Sequence, residues 1–352
     1  MIEQLTKEAI EFLKNLISKQ SFSGEENETA LLIMQWFSSH NIKFESSKHN
    51  VWAKNKYFDA AKKTILLNSH HDTVKPNKNY TKNPLNPEIS NGKLYGLGSN
   101  DAGGCLVSLL ATFTYFYDKD NLNYNFVLVA SAEEESSGPN GLNSMLPIIP
   151  EIDFAIIGEP TLMQLAIAEK GLLVLDCKAN GTAGHAAHGI GDNAIYNAIK
   201  DIHWFQTFEF PKISETLGKV KMTVTQINAG SQHNVIPANC NYVVDVRVTD
   251  AYTNLEVLEI IQNNVKSEVK ERSLRLNSSS IPKKHPIVKA GIKLGRKTYG
   301  SPTLSDQSVL SCPSLKLGLG DSLRSHTADE FIYVNEIEEG IDLYIKILNE
   351  II

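Results

Sequence analysis

Histidines and carboxylates stand just past short apolar runs in five segments of this chain. They are Leu66-Leu67-Asn68-Ser69-His70-His71-Asp72, Gly98-Ser99-Asn100-Asp101, Ala130-Ser131-Ala132-Glu133-Glu134-Glu135, Ile156-Ile157-Gly158-Glu159-Pro160 and Arg324-Ser325-His326-Thr327. Zinc binds imidazole nitrogen and carboxylate oxygen, and its catalytic sites leave a position open to water. Two imidazoles, three carboxylates and one spare acid are what a pair of hydrolytic zinc ions needs. A carboxylate shared between two ions holds them together, the arrangement of two-metal hydrolases.

The spacing adds detail. Asp72 lies two residues after His70, where its carboxylate can take the proton of the second ring nitrogen and orient the imidazole as a ligand. Period-two alternation turns His71 the other way. His49, His203 and His285 have no such context and read as surface or packing residues. Three adjacent glutamates at the end of an apolar strand repel one another, and burying one without a cation is costly. The chemistry divides Glu134 from Glu135: one binds metal, and the other takes a proton from water. Glu159 is followed by Pro160, which stiffens the turn behind it.

These segments need a scaffold that brings them to one place. Thr64–Asn68, Phe126–Ala130 and Phe154–Ile157 are short apolar runs alternating with helical periodicity at residues 2–18 and in the stretch ending near Tyr117. Such alternation predicts an α/β fold with a mainly parallel mixed sheet flanked by helices, where ligands bind beyond the carboxyl ends of the strands. Ser23-Gly24-Glu25-Glu26 reads as a capping box opening a second helix, and residues 76–87 as a surface loop. From about Gly171 the pattern changes to longer strands of alternating polarity (172–179, 220–227, 241–248) with helices at 192–205 and 254–269. We therefore expect residues 170–277 to form an inserted α+β domain, with 1–169 and 278–352 forming the zinc-binding domain.

With 352 residues, two domains are the default. A net charge of −6 argues against a nucleic-acid partner and suits an enzyme of small molecules. Cys105, Cys177, Cys240 and Cys312 are far apart in sequence and read as free thiols of a reducing compartment. No segment approaches the roughly 18 apolar residues of a membrane span. A cytoplasmic protein without membrane partners is the expectation.

Taken together, the segments resemble the dinuclear-zinc M20 metallopeptidases, in the branch of acetylornithine deacetylase and succinyl-diaminopimelate desuccinylase, over essentially the whole chain and in family order. The resemblance implies a zinc-exopeptidase-like catalytic domain with a ferredoxin-like lid and dimerisation domain. It also implies two zinc ions per subunit, with cobalt or manganese as substitutes. His70 and Glu159 would hold one ion and Glu135 and His326 the other, with Asp101 bridging, Asp72 orienting His70, and Glu134 as general base and acid. The last two glutamates correspond to the family's pair, since Gly138 and Gly141 then fall near family glycines; the alternative register takes Glu133 and Glu134. Gly181-Thr182-Ala183-Gly184-His185 resembles the segment whose histidine reaches the partner subunit's active site, where His185 would steady an oxyanion. Asn234 and Arg247 resemble a substrate-carboxylate clamp. Gly96-Leu97-Gly98 lacks the arginine the family often carries before the bridging aspartate.

Residues 318–327 look most like deacylases of acetylornithine and related substrates. The implied activity is removal of the acyl group from an Nα-acyl amino acid. N-acetylornithine comes first, with N-succinylornithine or N-acetylcitrulline behind it, in arginine biosynthesis, and the working unit is a homodimer. An aminopeptidase or dipeptidase with the same zinc pair is the alternative, and a non-catalytic binding member a second one.

Overall fold

The strand Thr64–His70 is buried at all seven positions, and so is Asn125–Ser131. Continuous apolar runs of this kind suit a sheet covered on both faces. The two strands pair in parallel with Leu66 opposite Val127 and His70 opposite Ser131. Phe154–Ile157 pairs in parallel on the other side of Thr64–His70, and Ser314–Lys316 in parallel with Phe154–Ile157. Four parallel strands at the centre therefore end on the same side. Antiparallel strands extend the sheet: Asn50–Lys54 and Phe44–Ser47 on one side, Leu165–Glu169 on the other.

Alternate residues of these strands serve two cores. Ile65, Leu67, Leu128 and Ala130 join the larger cluster with Leu5, Leu13, Leu109, Phe113, Ile341 and Tyr344. Leu66, Val127, Val129, Ala155 and Ile157 face Trp52, Leu142 and Met145 on the opposite side. The helix Gly104–Phe116 is nearly all buried, whereas Ile2–Ile17 and Val334–Asn349 carry amphipathic stripes. A computed structural model describes residues 1–352, and in it no helix is long and apolar enough to cross a membrane.

The chain divides into two compact units. One comprises Met1–Ile167, Ser280–Tyr299 and Ser305–Ile352; the other, Ala168–Ser279 and Gly300–Leu304. The insertion expected at 170–277 is two residues short at each end and lacks 300–304. In the second unit the strand Gly171–Asn180 is followed by the helix Ala194–Thr207, strands Lys221–Ala229 and Asn239–Val248, the helix Asn254–Gln262 and the strand Glu268–Glu271. The sheet order is Lys221–Ala229, Asn239–Val248, Gly171–Asn180, Glu268–Glu271, with all neighbours antiparallel. That βαββαβ path is the ferredoxin-like arrangement.

Two local expectations fail. The helix expected over 254–269 stops at Gln262, because the Asp201 carboxylate accepts the amides of Lys266 (3.2 Å) and Ser267 (2.8 Å) and draws the chain into a strand. The capping box at Ser23 does not form either. The helix begins at Asn27 with Glu26 at its cap position and no side-chain cap bond. Ser23 instead donates its hydroxyl to Asp72 at 2.6 Å, 49 residues away.

Candidate metal centre

His70 is the last residue of its strand and is buried. Its Nδ1 lies 3.0 Å from the Asp72 carbonyl and 3.3 Å from Asp72 Oδ1. Two oxygens on that side place a ring proton on Nδ1 and aim Nε2 at the acids; against burial, the hydrogen bonds to Asp101 and Asp72 hold the ring well above the usual histidine value, so Nε2 gives up a proton when a cation binds. Nε2 faces Asp101 Oδ1 at 3.4 Å, Glu159 Oε1 at 3.8 Å and Glu134 Oε2 at 4.0 Å. His71 points away, with Nδ1 2.8 Å from the Thr29 hydroxyl and Nε2 3.1 Å from the His49 carbonyl.

Asp101 sits in the tight turn Ser99–Gly103 at the mouth of the long buried helix. Gly98 enters that turn at φ 74°, and a Cβ there would lie 2.5 Å from Thr73 Cγ2, so glycine is required. The second Asp101 oxygen is 3.6 Å from His326 Nε2. That nitrogen lies 3.0 and 3.2 Å from the two Glu135 oxygens. Two groups of donors could thus each hold an ion: His70, Asp101 and Glu159, and Asp101, Glu135 and His326. Within each group the ligand atoms lie within 4.8 Å of one another. Asp101 is common to both.

Glu134 belongs to neither group. Glu133 is turned out, its carboxylate accepting the Asn140 amide at 3.1 Å and the Asn140 side chain at 2.9 Å, so only the last two glutamates face the cluster. Asp72 holds this turn in place by accepting the Glu134 and Glu135 amides, both at 3.0 Å. Burial works against ionising Asp72, but its bonds from His70, Ser23 and the Glu135 amide keep it below the usual carboxylate value.

The electrostatics fit a cation. Burial, joined by the charges of Glu159, Asp306 and Glu135 and opposed by His70, holds Glu134 well above the usual carboxylate range. Burial and the charge of Asp101 push Glu159 up to about 8, against the pull of His70. A cation among these groups would relieve the burial penalty and the mutual repulsion alike. The hydrogen bond to Glu135, with its charge and that of Asp101, raises His326 to about 9 against burial. Without metal, His326 is therefore protonated at neutral pH and must lose that proton to bind an ion. Uptake of an ion by the group of Asp101, Glu135 and His326 should release a proton, and its affinity should climb by about tenfold per pH unit per proton as long as the metal-free imidazole is protonated. Titration calorimetry in buffers of differing ionisation enthalpy checks this; proton-free, pH-independent uptake would contradict it.

Three contributors are invisible to the spacing argument. Ser23 is one. Glu26, fully buried, accepts the Gly24 amide at 2.6 Å and the Glu133 amide at 3.2 Å, with His49 Nδ1 at 2.8 Å. Glu330 accepts the Asn100 (2.8 Å) and Asp101 (2.9 Å) amides on Oε1 and the Gly98 amide (3.1 Å) on Oε2. Burial and Asp101 push Glu330 up to about 8 against those three bonds.

The other three sequence candidates belong to the second unit. His185 is exposed, in a two-residue strand Gly184–His185 paired with Val235–Ile236, and the Ala186 amide donates to the Asn234 carbonyl at 3.0 Å. Arg247 does not present an open fork. Its Nε and Nη2 bind Asp245 at 2.8 and 3.0 Å, since residues two apart on a strand share a face.

Residues 66–350 match the family described as Peptidase family M20/M25/M40. A succinyl-diaminopimelate desuccinylase of Rickettsia bellii (strain RML369-C) is 25% identical over 96% of this chain and 95% of its own length. An acetylornithine deacetylase of Buchnera aphidicola subsp. Schizaphis graminum (strain Sg) is 28% identical over 86% of this chain and 85% of its own. The crystal structure of Bacillus subtilis YxeP, described as a dinuclear metal binding peptidase from the M20 family, superposes with a TM-score of 0.75 at 14% identity, covering 98% of both chains. The chain belongs to the M20/M25/M40 peptidase family, and it is a metal-dependent hydrolase.

Proposed function

We propose that this protein is a two-zinc amidohydrolase that removes the acyl group from an Nα-acyl amino acid, with N-acetylornithine the first candidate. N-succinylornithine and N-acetylcitrulline follow. The observation that carries the reading is one carboxylate, Asp101, common to two donor groups, with a further buried acid, Glu134, beside them and in neither. His70 and Glu159 would hold one ion, Glu135 and His326 the other, and Asp101 both. Imidazole and carboxylate donors suit zinc, with cobalt or manganese as substitutes. Bound there, the ions supply Lewis-acid activation of water and of an amide carbonyl.

This chain's own groups do the rest. Glu134 accepts the proton of the attacking water at a carboxylate oxygen and returns it to the leaving amide nitrogen. Asp72 accepts from His70 Nδ1 and keeps Nε2 aimed at the cluster. We assign His185 to oxyanion stabilisation in a partner subunit, and Asn234 and Arg247 to the substrate carboxylate; for Arg247 this requires sharing its fork with Asp245. The homodimer is supported by the exposed edge strand Lys221–Ala229, whose outer side pairs with no strand, and by exposed Tyr196 and Ile199 on the neighbouring helix. A place in arginine biosynthesis, in the cytoplasm, completes the reading; all four cysteines are free thiols.

The names of the two curated relatives, one a desuccinylase and one a deacetylase, support an acyl-amino-acid substrate. The peptidase name of the solved neighbour favours a second reading, cleavage of a short peptide at the same centre. A release assay over acetyl-, succinyl- and formyl-ornithine, -citrulline and -lysine, with Ala-Ala alongside, separates them. Turnover of an acyl-ornithine or acyl-citrulline is expected. Turnover of the dipeptide alone would overturn the ranking.

A further inference from the structure

His326 is a strange choice for a rigid ligand. Its side chain is 54% exposed, so packing does not hold it. Its backbone adopts φ 59°, a left-handed conformation that a non-glycine residue keeps only when its surroundings impose it. Two neighbouring acids supply the constraint, working in opposite directions. Asp329 reaches outward and accepts the Thr81 and Lys82 amides, each at 2.9 Å, while Asn77 donates to the His326 carbonyl at 3.2 Å. Glu330 reaches inward, buried, and accepts the three amides of Gly98, Asn100 and Asp101.

We propose that Glu330 is a positioning residue for the second ion, setting the separation of Asp101 from His326 by tying the turn of one to the segment of the other. Two ligands of the Asp101, Glu135 and His326 group are then joined through one side chain, beside the main-chain bond from the Gly96 amide to the Glu330 carbonyl at 3.0 Å and the Asn100 side-chain bonds to Asp321 at 3.1 Å. The other group shares Asp101, but its His70 and Glu159 sit at strand ends and do not touch Glu330, so it has one ligand set by this side chain where the second group has two. The inference rests on the two-ion reading above and says which residue makes the second site tight.

A carboxylate can accept all three bonds on its two oxygens. Glutamine cannot: its amide nitrogen would confront at least one buried N–H with another donor. Aspartate keeps the charge but is a methylene too short to span Gly98 to Asp101.

The test titrates Co²⁺ into metal-free wild type, Glu330→Gln and Glu330→Asp, reading stoichiometry by calorimetry and the visible cobalt spectrum, with circular dichroism for the fold. In the variants the first ion should bind within about threefold of wild type, and the second should weaken by about 10–100-fold. The spectral change of the second addition should shift to correspondingly higher cobalt. Unchanged binding of both ions would overturn the proposal, as would equal weakening of both. Failure of both variants to fold would overturn it too, making Glu330 a scaffold residue only. If wild type itself binds a single ion, the two-ion reading falls first, and that arm alone identifies this case.

Discussion

Replacing Glu134 with glutamine leaves the bound ions in place and lowers kcat by about 10²–10⁴-fold, the span typical of a positioned general base. The expectation follows from where Glu134 stands. Its Oε2 is 4.0 Å from His70 Nε2, close enough to serve a water in the cluster, yet it belongs to neither donor group. Glutamine has the same shape but cannot accept a proton. The turn itself is held by main-chain amides bonded to Asp72, which the substitution leaves intact. KM should therefore move little. Steady-state kinetics and metal analysis on one preparation decide the matter. Activity within tenfold of wild type would remove Glu134 from the chemistry; loss of an ion along with activity would make it a ligand.

Asp101→Ala should be harsher. Asp101 is the one side chain common to both groups, with Oδ1 at 3.4 Å from His70 and Oδ2 at 3.6 Å from His326. Alanine removes a donor from each group and leaves both histidines facing a gap. We expect loss of at least one ion and a fall in kcat/KM of about 10³-fold or more, since the ions contribute several kcal/mol to the transition state. Asp101→Asn, which keeps a neutral oxygen in place, should fall between. An alanine variant that holds two ions and turns over normally would break the account.

The ligand-bearing strands were readable because strands buried on both faces are written as unbroken apolar runs, and the chemistry follows at their ends. Thr64–His70 and Phe154–Ile157 illustrate it. What could not be read were the long-range clamps. Ser23 with Glu26 looks the same in sequence whether the pair caps a helix or holds a distant turn, and only folding decides that Asp72 and the Glu133 amide are the partners. Glu330 is one acid among 40 acidic residues until its three amides are seen. The stretch after Gln262 has apolar residues compatible with either period, and the bonds from Asp201 choose the strand. The pairing of Arg247 was legible: an acid two residues back on the same strand is its natural partner.

The most direct test is a crystal structure of the zinc-loaded protein with anomalous data collected on both sides of the zinc edge. Two peaks are expected, one against His70 and Glu159 and the other against Glu135 and His326, with Asp101 touching both and Glu134 touching neither. A single peak, or a pair in which Asp101 contacts only one ion, would contradict the account.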